Sequence, residues 1–99
     1  MYTTIERRKM NHERLPETMQ RAQAEFFPTL QSAPGFVGFY LVADTEKGIN
    51  SAIVVFEDRA QAEAIGQTAS GWMQALDEMG HTVQTRNGGE TVVSIDGKR

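Results

Sequence analysis

The sequence predicts an α+β fold of ferredoxin-like type, βαββαβ, with one antiparallel sheet and two helices on one of its faces. Three observations predict it. Two strand-forming runs, Phe36–Ala43 and Ile49–Phe56, stand side by side across the polar turn Asp44–Gly48. One stretch of helical periodicity precedes this pair and another follows it. A β-rich segment lies toward each end of the chain. The order strand, helix, strand, strand, helix, strand is that of split βαβ units. Right-handed crossovers then put both helices on the same face of the sheet.

The central hairpin is the strongest of these signals. Both runs are rich in β-branched and aromatic residues and are bounded by Gly, Pro and Asp. A half-buried strand alternates apolar and polar residues, and these hardly do. Phe36, Gly38, Tyr40 and Val42 share one face of the first strand; Val37, Phe39, Leu41 and Ala43 share the other. In the second strand Ile53 and Val55 oppose Ala52, Val54 and Phe56. Both faces want cover. Helices supply it on one side. On the other, a single chain would show an apolar patch, so the pattern predicts a homodimer joined through the open sheet face about a two-fold axis.

The first strand is expected over Tyr2–Met10, where Thr3, Thr4 and Ile5 favour a sheet. The run Glu6-Arg7-Arg8-Lys9 is placed on its solvent end, because charged side chains are rarely buried unless paired. One arginine turned into a cavity is the less favoured reading. After the polar connection Asn11–Leu15, a helix starts near Pro16, tolerated in a first turn where its missing N–H has no partner. Met19, Ala22, Phe26 and Leu30 recur at helical spacing, with Gln23 and Phe27 alongside. Pro28 should kink this helix or detach its last stretch, and Ser32-Ala33-Pro34-Gly35 ends it.

Asp58 is a good N-cap for the second helix, with Gln61 placed for a capping box. Its stripe is Ala62, Ile65, Ala69, Trp72, Met73, Leu76 and Met79, and Gly80 is the stop. Gly66 and Gly71 weaken it by about 1 kcal/mol each but would admit a close neighbour. Thr82–Thr85 reads as a short extended segment, Asn87-Gly88-Gly89 as a turn, and Glu90–Ile95 as the last strand. Asp96–Arg99 is a polar tail.

Composition bounds the function. The 99 residues make a single domain, 1–99. A net charge of −3 carries no basic footprint for nucleic acid. The absence of cysteine excludes disulfides, thiolate metal sites and cysteine nucleophiles, and fits a reducing compartment. No apolar run approaches the ~20 residues of a membrane span, and no signal-peptide apolar region opens the chain. The expectation is a cytoplasmic protein that meets neither membrane nor nucleic acid.

Pro-Gly-Phe-Val-Gly-Phe-Tyr (34–40), Ala-Ile-Val-Val-Phe-Glu-Asp-Arg-Ala-Gln-Ala-Glu-Ala (52–64) and Gly-Trp-Met (71–73) resemble the antibiotic biosynthesis monooxygenase-like family. The N-terminal Met-Tyr-Thr-Thr-Ile and the late Gly-Glu-Thr-Val-Val (89–93) are similar to a bacterial branch of it. The resemblance covers nearly the whole chain, and it implies a dimeric α+β barrel. Relatives include cofactor-independent oxygenases of polycyclic quinols, haem-degrading oxygenases and proteins without established activity. The haem-degrading pattern has an Asn on the first strand with a later Trp and His. Here Trp72 and His81 stand nine positions apart, but Thr4-Ile5-Glu6-Arg7 has no Asn, and Asn11 lies beyond it.

The resemblance therefore implies a cofactor-independent monooxygenase acting on a small hydrophobic, quinol-like aromatic in a cavity between sheet and helices. The alternative is a non-catalytic dimeric module that binds a hydrophobic ligand or serves assembly. Metal-free oxygenation needs a dry pocket, an acidic phenol and groups to hold its anion. Trp72, Tyr40, Tyr2 and His81 carry polar tips that could serve as catalytic groups. Set against this, Trp72 reads as a core anchor, Tyr40 as an interface residue and His81 as an exposed loop residue beyond Gly80. His12-Glu13 lacks a third metal ligand in reach by spacing, and Gly35-x-x-Gly38 enters a strand instead of a phosphate-binding helix. No cofactor and no bound metal are expected.

Overall fold

Four antiparallel strands form one sheet in the order β2-β3-β1-β4. They are β1 (Tyr2–Lys9), β2 (Phe36–Asp44), β3 (Ile49–Phe56) and β4 (Thr82–Glu90). The computed structural model describes residues 1–97; Lys98 and Arg99, the end of the polar tail, lie outside the described residues. The register fixes the two faces. Thr4 pairs with Val54 and Val54 with Phe39, a row beneath the helices. Ile5 pairs with Ile53 and Ile53 with Tyr40, a row on the open face. The ferredoxin-like topology expected from the element order is the one found.

The first helical stretch opens with a 3₁₀ turn, His12–Arg14, and continues as α1 (Leu15–Arg21). A π-helical turn, Ala22–Phe26, leads into α2 (Phe27–Gln31). Pro28 explains the interruption. It has no N–H to offer the carbonyl four residues back, and the widened turn before it takes up that gap. The expected separate segment is thus present.

The second helical stretch begins at Asp58, whose Oδ1 accepts from the backbone N–H of Gln61 at 2.9 Å. The capping box is only half made, since the Gln61 Oε1 is buried without a partner among the described residues. The stretch divides into α3 (Arg59–Thr68) and α4 (Ser70–Glu78). The division falls at Ala69, beside Ser70 and Gly71, where helix propensity is weakest. Nothing lies within 4 Å of a Cβ built on Gly66 or Gly71, so neither admits a neighbour. Gly80 has φ +86° and ends α4 as a left-handed stop.

The chain's last strand departs from expectation. Asn87-Gly88-Gly89 lies inside β4, and the apolar Val92, Val93 and Ile95 lie beyond it, exposed and without regular structure. Pairing with β1 over the length of the strand outweighs the local turn preference. Gly88 has a further reason to be there. A Cβ on it would sit 2.8 Å from the Tyr2 hydroxyl, so the missing side chain makes room for that ring.

The charge run corrects a second expectation. β1 continues through it to Lys9, and Arg8 is 5% exposed. Even-numbered residues of β1 face the helices, which turns Glu6 and Arg8 inward. The apolar centre is Leu30, Phe56 and Ala62, with Tyr2, Phe26, Phe36, Phe39, Val54 and Ile65 packed around it. Among the described residues no helix is long and apolar enough to cross a membrane.

Candidate functional site

Helices and sheet do not close on each other completely. A cavity of about 350 Å3, partly open to solvent, remains between them. The sheet contributes Tyr2, Thr4, Phe39, Ala52 and Val54 to its wall. The first helical stretch contributes Met19, Ala22, Phe26 and Phe27, and the second Ile65, Trp72 and Met73. A π-helical turn spreads successive side chains less around the axis than an α turn does, and both Phe26 and Phe27 line the cavity. Phe26 stacks on Trp72 with ring centres 5.7 Å apart and planes 12° from parallel. Phe39 meets Phe26 edge-on, also at 5.7 Å. The Arg21 guanidinium stands 6.0 Å from the Trp72 ring centre, at the outer limit of a cation–π contact.

One end of the cavity is polar. Arg8 donates from Nε to Glu6 Oε1 at 2.5 Å, and from Nη1 to Asp77 Oδ1 and to the His81 carbonyl, each at 2.6 Å. Glu6 receives a second guanidinium, Arg86 Nε to Oε2 at 2.6 Å. A buried arginine is tolerable because two carboxylates and a carbonyl surround it. Asn50, opposite Arg8 on β3, also lines the cavity.

His81 is the second buried group here. It is 1% exposed, contrary to the expected exposed loop. Gly80 does take the chain out of the helix, but the turn directs it back beneath α1. Nδ1 accepts from the backbone N–H of Asn11 at 3.1 Å, so it carries no proton. Nε2 lies 2.7 Å from the Thr18 hydroxyl. Thr18 gives its proton to the Arg14 carbonyl at 2.8 Å, which leaves its oxygen to accept from Nε2–H. Burial, and after it the charges of Arg8 and Arg14, hold the ring's pKa below the ordinary histidine value. As placed, His81 is a neutral structural hub with no free lone pair for a proton or an iron.

Of the four residues singled out in the sequence, three line the cavity: Tyr2, Trp72 and His81. Tyr2 and Trp72 line it from opposite layers. Trp72 packs on Phe26 as an anchor would, but on a cavity wall instead of in a filled core. Tyr40 is 61% exposed on the open face of the sheet and does not line the cavity. His81 sits at the polar end with both ring nitrogens engaged. Sequence reasoning passed over Glu6, Thr18 and Asn50, and held an arginine of the charge run in the cavity only as its less favoured reading. Strand alternation alone could have placed Glu6 and Arg8 on the face of Tyr2 and Thr4.

No protein-family model and no curated protein matches the chain. Solved structures do. A candidate antibiotic biosynthesis monooxygenase from Deinococcus radiodurans superposes with a TM-score of 0.78 at 10% identity, covering 100% of both chains. A monooxygenase from the ActVA-Orf6 gene of Streptomyces coelicolor, solved with nanaomycin D, gives 0.76 at 10% identity, over 98% of this chain and 92% of that one. SnoaB, a cofactor-independent oxygenase from Streptomyces nogalater, gives 0.69 at 15% identity over 97% of each. The α+β architecture of this chain is therefore the one shared by these monooxygenase structures.

Proposed function

We propose that the protein is a cofactor-independent monooxygenase of a small hydrophobic, quinol-like aromatic. The observation that carries this reading is the cavity: about 350 Å3, walled by Phe26, Phe39 and Trp72 and polar at one end. That volume falls at the lower end of small-molecule pockets, roughly 300–1,000 Å3. An apolar wall keeps water from the reacting ring, and nearby guanidinium groups favour its anion. Structural likeness to SnoaB and to the Streptomyces coelicolor monooxygenase supports the same reading. We also infer a homodimer joined through the open sheet face, supported by the exposed Ile5, Tyr40 and Val42. A cysteine-free composition accords with a reducing compartment such as the cytoplasm.

One observation favours the second reading, a ligand-binding module without catalysis. The ionisable groups at the polar end are already engaged: Glu6 by two guanidinium groups, Arg8 by three acceptors, His81 at both nitrogens. Oxygen consumption by the purified protein over a panel of hydroquinones decides between the two. Turnover without added iron, haem or flavin is expected, reduced in Tyr2→Phe or Trp72→Phe. Activity that needs one of those additions rejects the cofactor-free reaction. No turnover, together with measurable binding of the same compounds, leaves the binding module.

A further inference from the structure

We propose that Arg8 and Asn50 together hold an acceptor oxygen of the ligand, and that this oxygen is a neutral carbonyl on an aromatic frame. The proposal rests on reading the cavity as the ligand site. Arg8 and Asn50 pair directly across β1 and β3 on the side that faces the helices, and both line the cavity. Arg8 Nε and Nη1 serve Glu6, Asp77 and the His81 carbonyl. The remaining guanidinium nitrogen, Nη2, has no hydrogen-bond partner among the described residues, and neither has the Asn50 amide. Asn50 Oδ1 is sealed from solvent, whereas Asn50 Nδ2 and Arg8 Nη2 are not. Two open donors thus stand on neighbouring residues at the polar end of the cavity, one of them on a buried arginine. Buried polar groups are nearly always paired, and a ligand acceptor would complete this pair.

The chemistry of the visitor follows from the surroundings. Donors call for an acceptor, which excludes an ammonium. The charge at this end is already balanced: Glu6 and Asp77 receive Arg8, and Glu6 receives Arg86 as well. A carboxylate would add an uncompensated charge near Glu6, which lines the same cavity. A hydroxyl oxygen can accept, but it brings a proton, and the unpaired acceptor here, Asn50 Oδ1, is sealed against it. A carbonyl oxygen has two lone pairs, one for each donor, and no proton of its own. Phe26, Phe39 and Trp72 wall the cavity, which suits a flat ring beside that carbonyl. An aryl ketone meets each requirement.

Equilibrium dialysis of the full chain against 1-tetralone and tetralin tests this, since the two share a bicyclic frame and differ in the carbonyl. Asn50→Ala and Arg8→Leu are each expected to weaken 1-tetralone binding about tenfold, as loss of one hydrogen bond allows, and to leave tetralin binding within about twofold. Arg8→Leu also uncovers Glu6, whereas Asn50→Ala breaks no side-chain hydrogen bond of the fold, so Asn50→Ala decides the matter if Arg8→Leu does not fold. The carbonyl stretch of bound 1-tetralone, read by infrared difference spectroscopy, should lie at lower wavenumber in the wild type than in either variant. A merely structural role for the pair would not move that band. Equal weakening of both compounds, unchanged 1-tetralone affinity in Asn50→Ala, a carbonyl band that does not differ between wild type and Asn50→Ala, or a wild type that binds tetralin alone overturns the anchor and leaves the cavity reading intact. Failure of both compounds to bind the wild type overturns the two together.

Discussion

Arg8 Nη1 lies 2.6 Å from Asp77 Oδ1, joining the first strand to the end of the last helix across 69 residues of sequence. Asp77 itself is largely exposed, whereas Glu6, the other carboxylate on this guanidinium, is nearly buried. Loss of Arg8 therefore harms Glu6 more than Asp77. Arg8→Leu should destabilise the fold by about 3 kcal/mol, because Glu6 keeps only Arg86. Arg8→Lys should recover little, since one ammonium cannot fork between Glu6, Asp77 and a carbonyl. The double variant Glu6→Leu, Arg8→Leu should lose less than Arg8→Leu alone. Urea denaturation of the three variants checks this, and a double variant that loses as much as Arg8→Leu or more would contradict it.

His81 makes stability depend on pH in a defined direction. The fold holds its pKa below the ordinary 6.5, chiefly by burial and then through Arg8 and Arg14. Well above pH 6.5 the ring is neutral in both folded and unfolded chains, and its contribution is complete. As pH falls through 6.5 the unfolded chain takes up a proton that the folded chain refuses. Stability then declines, by at most about 1.4 kcal/mol per pH unit, until the folded pKa is reached and the decline from this group stops. His81→Gln should flatten that part of the profile while lowering the stability at neutral pH. A wild-type profile that rises as pH drops from 6.5 would refute the assignment.

The parts of the fold that could be read from sequence are those set by local pattern. The hairpin Phe36–Phe56 and both helical stripes have strong periodicity of their own, and Pro28 and Asp58 act on their immediate neighbours. β4 was misplaced because its course is decided by pairing with β1, some eighty residues earlier, against the local preference of Asn-Gly-Gly. Arg8 and His81 were misplaced for a related reason. Apart from Glu6, two positions from Arg8 on the same strand face, their partners lie 63 to 73 positions away, so no window shows the guanidinium covered or the imidazole enclosed. The apolar stripes show which faces meet. They do not show that Phe26, Phe39 and Trp72 leave space between them.

Three glycines separate helix propensity from conformational need. Gly66 and Gly71 lie in α3 and α4 with open space where a Cβ would stand. Gly66→Ala and Gly71→Ala should each stabilise the chain, by roughly 0.5–1 kcal/mol. Gly80 has φ +86°, and a Cβ there would come 2.9 Å from Asn11 Nδ2, which donates to the Met79 carbonyl. Gly80→Ala should cost about 1–2 kcal/mol. Thermal unfolding of the three variants should give opposite signs for the helical pair and the stop. A destabilised Gly66→Ala would mean that the cavity wall is closer than its open space implies.

The open face of the sheet sets the last expectation. Ile5, Tyr40 and Val42 are exposed on a single chain, and Val92, Val93 and Ile95 beyond β4 are more so. Patches of this kind mark an interaction surface, and a second copy offers the same patch through a two-fold axis. The dimer should bury on the order of 2,000 Å2 in total, in keeping with obligate pairs. The strand register makes the test two-sided. Tyr40 belongs to the open-face row with Ile5 and Ile53, whereas Phe39 belongs to the helix-face row with Thr4 and Val54. Tyr40→Asp with Val42→Asp should therefore yield a folded monomer or a much weaker dimer. Phe39→Asp puts a charge among Phe26, Phe27 and Phe56's neighbours, and should unfold the chain. Sedimentation equilibrium and circular dichroism on the two variants distinguish these outcomes. A wild-type protein that sediments as a monomer at low micromolar concentration would remove the dimer, and would leave the apolar open face to a different partner.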